Sequence, residues 1–360
     1  MKQGEFLFLA SAVLLPLCGV LLAGNRITMY LEFPPLTRYV EHADFSWFAF
    51  IVMAIFLLSL TAPLITRVLC SRADTDDLQS RPFPEWGWAA LCLCVASWVL
   101  AWTRFDWFSD FQIFTFSPLW LGYIGVVNAL TYARSGSCML LHRPKYLALL
   151  FIASAFFWWY FEYLNRFVQN WYYSGIQDLS PVLYALFATL PFSTVLPAVL
   201  STYELLATIP KLQAGLKTYT VIDNQYPRLT ALIILATAAF GLLGIGIYPD
   251  YLYPLLWLSP LFILTGIQRL GGRQTIFSAL RQGDWRRIFL LAVSALVCGF
   301  FWEMWNYFSA AKWLYSIPFV EKFHIFEMPL LGYAGYLPFG LECGVIADYC
   351  EIKSEPGLNS

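Results

Sequence analysis

The chain has 360 residues, of which 59% are hydrophobic and 12% charged, with a formal net charge of −1 and a mean hydropathy of +0.61. Soluble domains carry about 25% charged residues. Half that load, with 15 Trp, 21 Tyr and 31 Phe, excludes an ordinary soluble fold and places the chain in a bilayer, while the near-neutral balance excludes a nucleic-acid surface.

A helix crosses the ~30 Å hydrocarbon core with about 20 apolar residues. In chain order, ten stretches meet that need: 5–23, 45–68, 86–103, 113–133, 146–167, 182–207, 229–247, 251–269, 287–308 and 326–347. The first is longer than the apolar run of a signal peptide and has no small-x-small cleavage site after it, so it reads as a helix. Lys and Arg divide 16 to 6 between the even-numbered loops with the termini and the odd-numbered loops. The positive-inside rule then puts both termini in the cytoplasm, with the chain in the plasma (inner) membrane.

The last eight stretches repeat themselves. Ser117-Pro118-Leu119 returns 142 residues later as Ser259-Pro260-Leu261. Glu162 and Asn165 return as Glu303 and Asn306, and Trp171-Tyr172-Tyr173 as Trp313-Leu314-Tyr315. Pro191 and Glu204 return as Pro329 and Glu342, and Pro84 as Pro227. Ordered matches with small drifts indicate duplication. The expected fold is therefore an all-α polytopic integral membrane protein of about ten transmembrane helices. It comprises an N-terminal two-helix hairpin (1–70), two parallel four-helix repeats (84–208 and 227–348) and a cytoplasmic tail (349–360). Two copies of an even number of spans run the same way through the membrane.

Within each copy, Glu and Asn three residues apart share one helix face. A charge at bilayer depth costs about 3 kcal/mol, so these acids must face the interior and find partners, or stay protonated. Asn306 is expected to orient the Glu303 carboxyl, and Asn165 that of Glu162. Trp302, Trp305, Trp313, Tyr315, Trp171 and Tyr173 supply an aromatic wall, and Tyr333, Glu327 and Glu342 fall on the tenth stretch, which Pro329 and Pro338 should kink. One explanation is helix-to-helix hydrogen bonding, worth about 0.6 kcal/mol a pair. The other is function: a carboxylic acid among aromatic rings suits proton transfer to or from a hydrophobic molecule.

Eight Cys show no zinc-type spacing, and His42, His142 and His324 fall in loops or at helix ends, where they cannot serve as axial haem ligands. No metal and no cofactor is expected. No Gly-rich phosphate loop or dinucleotide fingerprint occurs.

The order Phe300, Phe301, Trp302, Glu303, Trp305, then Trp313 and Tyr315, then Glu327 and Pro329 resembles the membrane-embedded lycopene cyclase domain of carotenoid biosynthesis. Where that family has a Pro-x-Glu-Glu pair, this chain has Phe326-Glu327-Met328-Pro329, and Glu303 stands where the family usually has Asp. The resemblance implies a duplicated helical fold in which Glu303 and Glu327 would protonate a polyene end. From the residues alone, three roles stay open. They are a pocket for a lipid or isoprenoid-like ligand, with or without catalysis by Glu303, Asn306 and Glu327; a proton-coupled transporter; and an anchoring partner of other membrane subunits.

Overall fold

The computed structural model describes residues 3–35, 37–73 and 81–354, without the side chains of 3–9 and 352–354. Lys2, residues 74–80 between the expected hairpin and the first expected repeat, and the end of the expected tail lie outside the described residues. The fold is 70% helical with little sheet. Its main helices are α1 (Gln3–Leu22), α2 (Trp47–Cys70), α3 (Glu85–Trp102), α4 (Phe116–Ser135), α5 (Pro144–Val168), α6 (Pro181–Ser193), α7 (Val195–Ala207), α8 (Pro227–Ile245), α9 (Pro254–Leu270), α10 (Arg286–Tyr307) and α11 (Tyr336–Ser354). Pro144, Pro181, Pro227 and Pro254 open their helices, where the missing N–H is no loss and the fixed φ already suits a helix. Ser46 caps α2 by accepting from the Ala49 N–H, and Ser180 caps α6 by accepting from Leu183.

Among the described residues seven helices are long and apolar enough to cross a membrane, or eight if one bent pair counts as a single span. The protein is membrane-embedded. Four expected stretches differ from the structure in form. The sixth, 182–207, is interrupted at Thr194 between α6 and α7. α9 has only 17 residues. The fourth stretch begins in a 3₁₀ segment, Asp106–Phe114, set at 68° to α4. Gln112 fixes that elbow, since its amide donates to the carbonyls of Leu100 and Thr103 at 2.7 and 2.9 Å. The end of α3 is thereby satisfied by the turn that follows it. The tenth stretch does not begin as a helix at 326. Met328–Pro329 pairs with His324–Ile325, a 3₁₀ turn Leu330–Gly335 follows, and α11 starts at Tyr336. Pro329 therefore ends a short strand and kinks no helix.

The centre is built from α5, α7, α10 and α11, around fully buried Phe161, Leu164, Leu196 and Phe339. α3 packs on α4 and α8 on α9; α5 packs on α7 and α10 on α11; α4 packs on α7 and α9 on α11. Across the middle α7 meets α10 and α5 meets α11. α1 lies against α8 and α9, whereas only Val68 of α2 is buried.

One feature absent from the all-α expectation is a two-stranded sheet. β1 (Trp171–Ser174) pairs antiparallel with β2 (Lys312–Tyr315), with Trp171 opposite Tyr315, Tyr172 opposite Leu314 and Tyr173 opposite Trp313. The 23–46 segment is tied over this end of the bundle. Arg166 donates to the carbonyls of Met29, Tyr30 and Glu32, His42 is paired with Asp250 at 2.7 Å, and the Ser46 N–H reaches the Phe319 carbonyl at 2.9 Å.

Candidate functional site

Both acid–amide pairs are completely buried: Glu162, Asn165, Glu303 and Asn306 have no exposed surface. α5 ends at Gln169, which takes a left-handed φ of 49° and turns the chain back into β1. That return brings Trp171 and Tyr173 over the acid one helical turn below Arg166. Oε1 of Glu162 accepts from Trp158 Nε1 at 3.1 Å, Trp171 Nε1 at 3.0 Å and the Tyr173 hydroxyl at 2.6 Å. Oε1 of Glu303 accepts from the Tyr315 hydroxyl at 2.7 Å and the Tyr336 hydroxyl at 2.8 Å, and Trp313 Nε1 donates to the Tyr315 oxygen at 2.9 Å. In both acids Oε2 has no hydrogen-bond partner. An indole N–H can only donate, so any proton on Glu162 sits on Oε2, away from the two indoles.

The two Asn residues do not orient the carboxyls, which corrects the expectation for Asn165 and Asn306. Nδ2 of Asn165 donates to the Trp171 carbonyl at 2.7 Å and its Oδ1 accepts from the Asn170 N–H at 2.8 Å. Asn306 likewise donates to the Trp313 carbonyl at 2.8 Å and accepts from the Trp313 N–H at 2.9 Å. The amides hold the returning strands, and the strands carry the aromatic donors to the acids. The orienting groups are Trp158, Trp171 and Tyr173 for Glu162, and Tyr315 and Tyr336 for Glu303.

A cavity of about 310 Å³ lies between the two units. Trp158, Trp171 and Tyr173 line it from one side and Trp302, Trp313, Tyr315 and Tyr336 from the other, with Trp257 between. α6 and the 3₁₀ segment before α4 close it further, where the rings of Phe114 and Phe187 meet at 4.2 Å. Every aromatic donor to either acid faces this space.

Four expected residues stand elsewhere. Trp305 is buried against Trp98, Trp120 and Tyr123 on the α3–α4 side. Tyr333 donates to the Ile325 carbonyl at 3.0 Å. Glu327 is ion-paired with Lys312 at 2.5 Å at the edge of β2. Glu342, fully buried, accepts from the Leu261 N–H at 3.1 Å, next to Pro260 in α9. It answers a helix irregularity. Residues missed by sequence reasoning are Trp158, Tyr336 and Trp257. Trp158 precedes Glu162 by four and was legible as a same-face neighbour; Tyr336 and Trp257 come from other helices and gave no local signal. Among the described residues no three His, Cys, Asp or Glu side chains gather as for a metal ion. Comparison with family models, curated proteins and solved structures returns no match.

Proposed function

We propose that the protein is a multi-pass membrane protein that holds a lipid or isoprenoid-like molecule in the aromatic cavity. The observation that carries this is the convergence of both Glu-centred units on one apolar space of about 310 Å³, within the range of small-molecule pockets. Acids needed only to glue helices would have no reason to present all their donors to a common void.

The finer architecture belongs to the same proposal: ten spans, two parallel four-helix copies and both termini in the cytoplasm of a cell whose inner membrane holds the chain. The β1–β2 register supports duplication. Residue 172 faces 314, its counterpart 142 residues on, and the flanking residues exchange places on either side, as a pseudo-two-fold axis through that pair requires. The matched packing of α3–α4 with α8–α9, and of α5–α7 with α10–α11, supports it too.

Glu303 stands behind the tyrosines, so a proton passing between it and an occupant would travel through the Tyr315 or Tyr336 hydroxyl. Kinship with the lycopene cyclase domain remains part of the proposal on the aromatic-acid order alone. Glu327, held by Lys312, is not placed to share in that chemistry.

The test is purification from membranes in mild detergent, organic extraction and mass spectrometry. An apolar molecule at near-stoichiometric amount is expected, and its loss is expected in Gly335→Leu. Gly335 lines the cavity, with open van der Waals distance to Trp257, so a leucine there occupies the void. A folded protein free of any apolar molecule, or equal yields from both proteins, refutes the pocket. The two acids flanking one space also favour a second reading, proton-coupled transport. Proton flux in proteoliposomes that disappears in Glu303→Gln is its signature.

A further inference from the structure

The wall of the cavity has a polar pattern that selects among hydrophobic ligands. The hydroxyl hydrogens of Tyr173, Tyr315 and Tyr336 are all committed to the two carboxyls, and the N–H groups of Trp158, Trp171 and Trp313 are committed as well. A phenol that donates still has oxygen lone pairs to offer. The wall therefore presents acceptors at its tyrosines.

Two other indoles complete the pattern. Among the described residues the N–H of Trp257 and that of Trp302 have no acceptor, although both rings line the cavity and Trp302 is 5% exposed. Both rings also pack on Phe339, which is fully buried behind the wall. Unlike the enclosed indole nitrogens of Trp120 and Trp305, those of Trp257 and Trp302 keep accessible surface, so an occupant that offers an acceptor can reach them.

Charge narrows the choice further. Two carboxyls lie just behind the wall, and the one ammonium among the lining residues, that of Lys312, is bound to Glu327. An anionic head group would meet like charge without a free cation. Size narrows it again: 310 Å³ holds about ten or more groups the size of a water or methylene, one chain segment and not two.

On the strength of the pocket proposed above, we infer that the occupant is an uncharged single-chain alcohol, a long-chain or isoprenoid alcohol. Its hydroxyl oxygen accepts from Trp302, the more deeply buried of the two indoles, and its hydroxyl hydrogen goes to a tyrosine oxygen. A bare hydrocarbon answers neither free indole, and a phospholipid brings a phosphate and a second chain.

The experiment uses the full chain in lipid nanodiscs with three matched probes, each bearing a diazirine and an alkyne on its chain: hexadecanol, hexadecanoate and a phosphatidylcholine. Cross-linked peptides are mapped by mass spectrometry. Hexadecanol is expected to label cavity-lining peptides, to be displaced by unlabelled hexadecanol, and to lose at least about five-fold in Trp302→Phe, the weight of one hydrogen bond. Hexadecanoate and the phosphatidylcholine are expected to label the same peptides at least about five-fold less. Equal or stronger labelling by either one overturns the alcohol assignment and leaves the pocket standing. Labelling by hexadecanol that Trp302→Phe does not change, in a variant that elutes and melts like the parent, also overturns it. If no probe labels the cavity, the pocket itself fails with the assignment.

Discussion

The Glu162 and Glu303 units are built to one plan and finished differently. In each, an Asn three residues after the acid clamps a returning strand, and that strand lays a Trp and a Tyr over the carboxyl. The difference is the remaining donor. Four residues before Glu162 stands Trp158, which donates from the same helix. Four residues before Glu303 stands Gly299, and a side chain there would run into the ring of Tyr336, whose hydroxyl takes the place of the indole. Under the duplication proposed above, the counterpart of Tyr336 is the fully buried Ala198, 138 residues earlier. A Trp and an Ala in one unit then answer to a Gly and a Tyr in the other. Large and small side chains stand at exchanged positions, and each acid has its donor. The trade has a chemical consequence: indoles only donate, whereas phenols donate, accept and pass protons. Glu162 is held by two indoles and one phenol, Glu303 directly by two phenols, so the second unit is the one fitted for proton movement.

The largest effect should come from breaking that trade. Gly299→Trp forces an indole into the space of the Tyr336 ring, and overpacking of a close-fitted core costs about 1–3 kcal/mol, sometimes more. Tyr336→Ala alone leaves a hole costing about 3–5 kcal/mol. The double variant copies the first unit and should be more stable than the sum of the singles by about 2 kcal/mol, within the coupling seen for touching residues. Thermal unfolding in detergent measures all three; strict additivity would show that the two positions are not counterparts.

Next in size is removal of the clamps. Asn165→Ala and Asn306→Ala each leave strand backbone groups buried without partners, at about 1–3 kcal/mol for each group. Asn165 accepts from two backbone N–H groups, those of Asn170 at 2.8 Å and Trp171 at 3.4 Å, against one for Asn306, so its loss should exceed that of Asn306. If Asn306→Ala proves the more damaging, the two clamps are not equivalent in the way the hydrogen bonds indicate.

Third are the phenols. Tyr336→Phe leaves Glu303 with a single direct donor, whereas Tyr173→Phe leaves Glu162 with two indoles. A hydrogen bond to a charged group is worth about 1.5–3 kcal/mol, and the cost should be larger at Glu303. Comparable melting temperatures for the two variants would mean that the extra indoles add nothing.

Much of this frame was legible in the chain. The apolar runs marked most helices to within a few residues, with Pro227 opening one of them, although α11 starts ten residues after the expected 326. The Glu–Asn spacing put both polar groups on an inward face, and the Trp-Tyr-Tyr and Trp-Leu-Tyr words marked the strands that return. Local spacing could not say that Gln169 would turn left-handed and deliver backbone, not carboxyl, to Asn165. Nor could it say that Phe326-Glu327-Met328-Pro329 would fold as a strand end before α11, because a proline near the start of an apolar run is compatible with both. Tyr336 lies 33 residues from Glu303, and its role depends on the missing side chain at Gly299, which sequence alone presents only as a small residue in a helix.

The smallest difference separates the two strand indoles. Trp171 donates directly to Glu162, while Trp313 donates to the Tyr315 hydroxyl, which in turn donates to Glu303. Trp171→Phe removes a bond to the acid itself, about 1.5–3 kcal/mol if the acid is charged. Trp313→Phe removes a neutral bond to a phenol that can still donate onward, about 0.5–1.5 kcal/mol, with some loss of the polarisation that strengthens a chained pair. The stability difference is therefore expected to be small and the chemical one distinct. Freed of its indole, the Tyr315 oxygen has a spare lone pair, and an alcohol occupant should bind Trp313→Phe at least as well as the parent. Competition of unlabelled hexadecanol against its photoreactive analogue measures this directly, and a weaker affinity in Trp313→Phe would place the ligand's hydroxyl on that indole and not on the tyrosines.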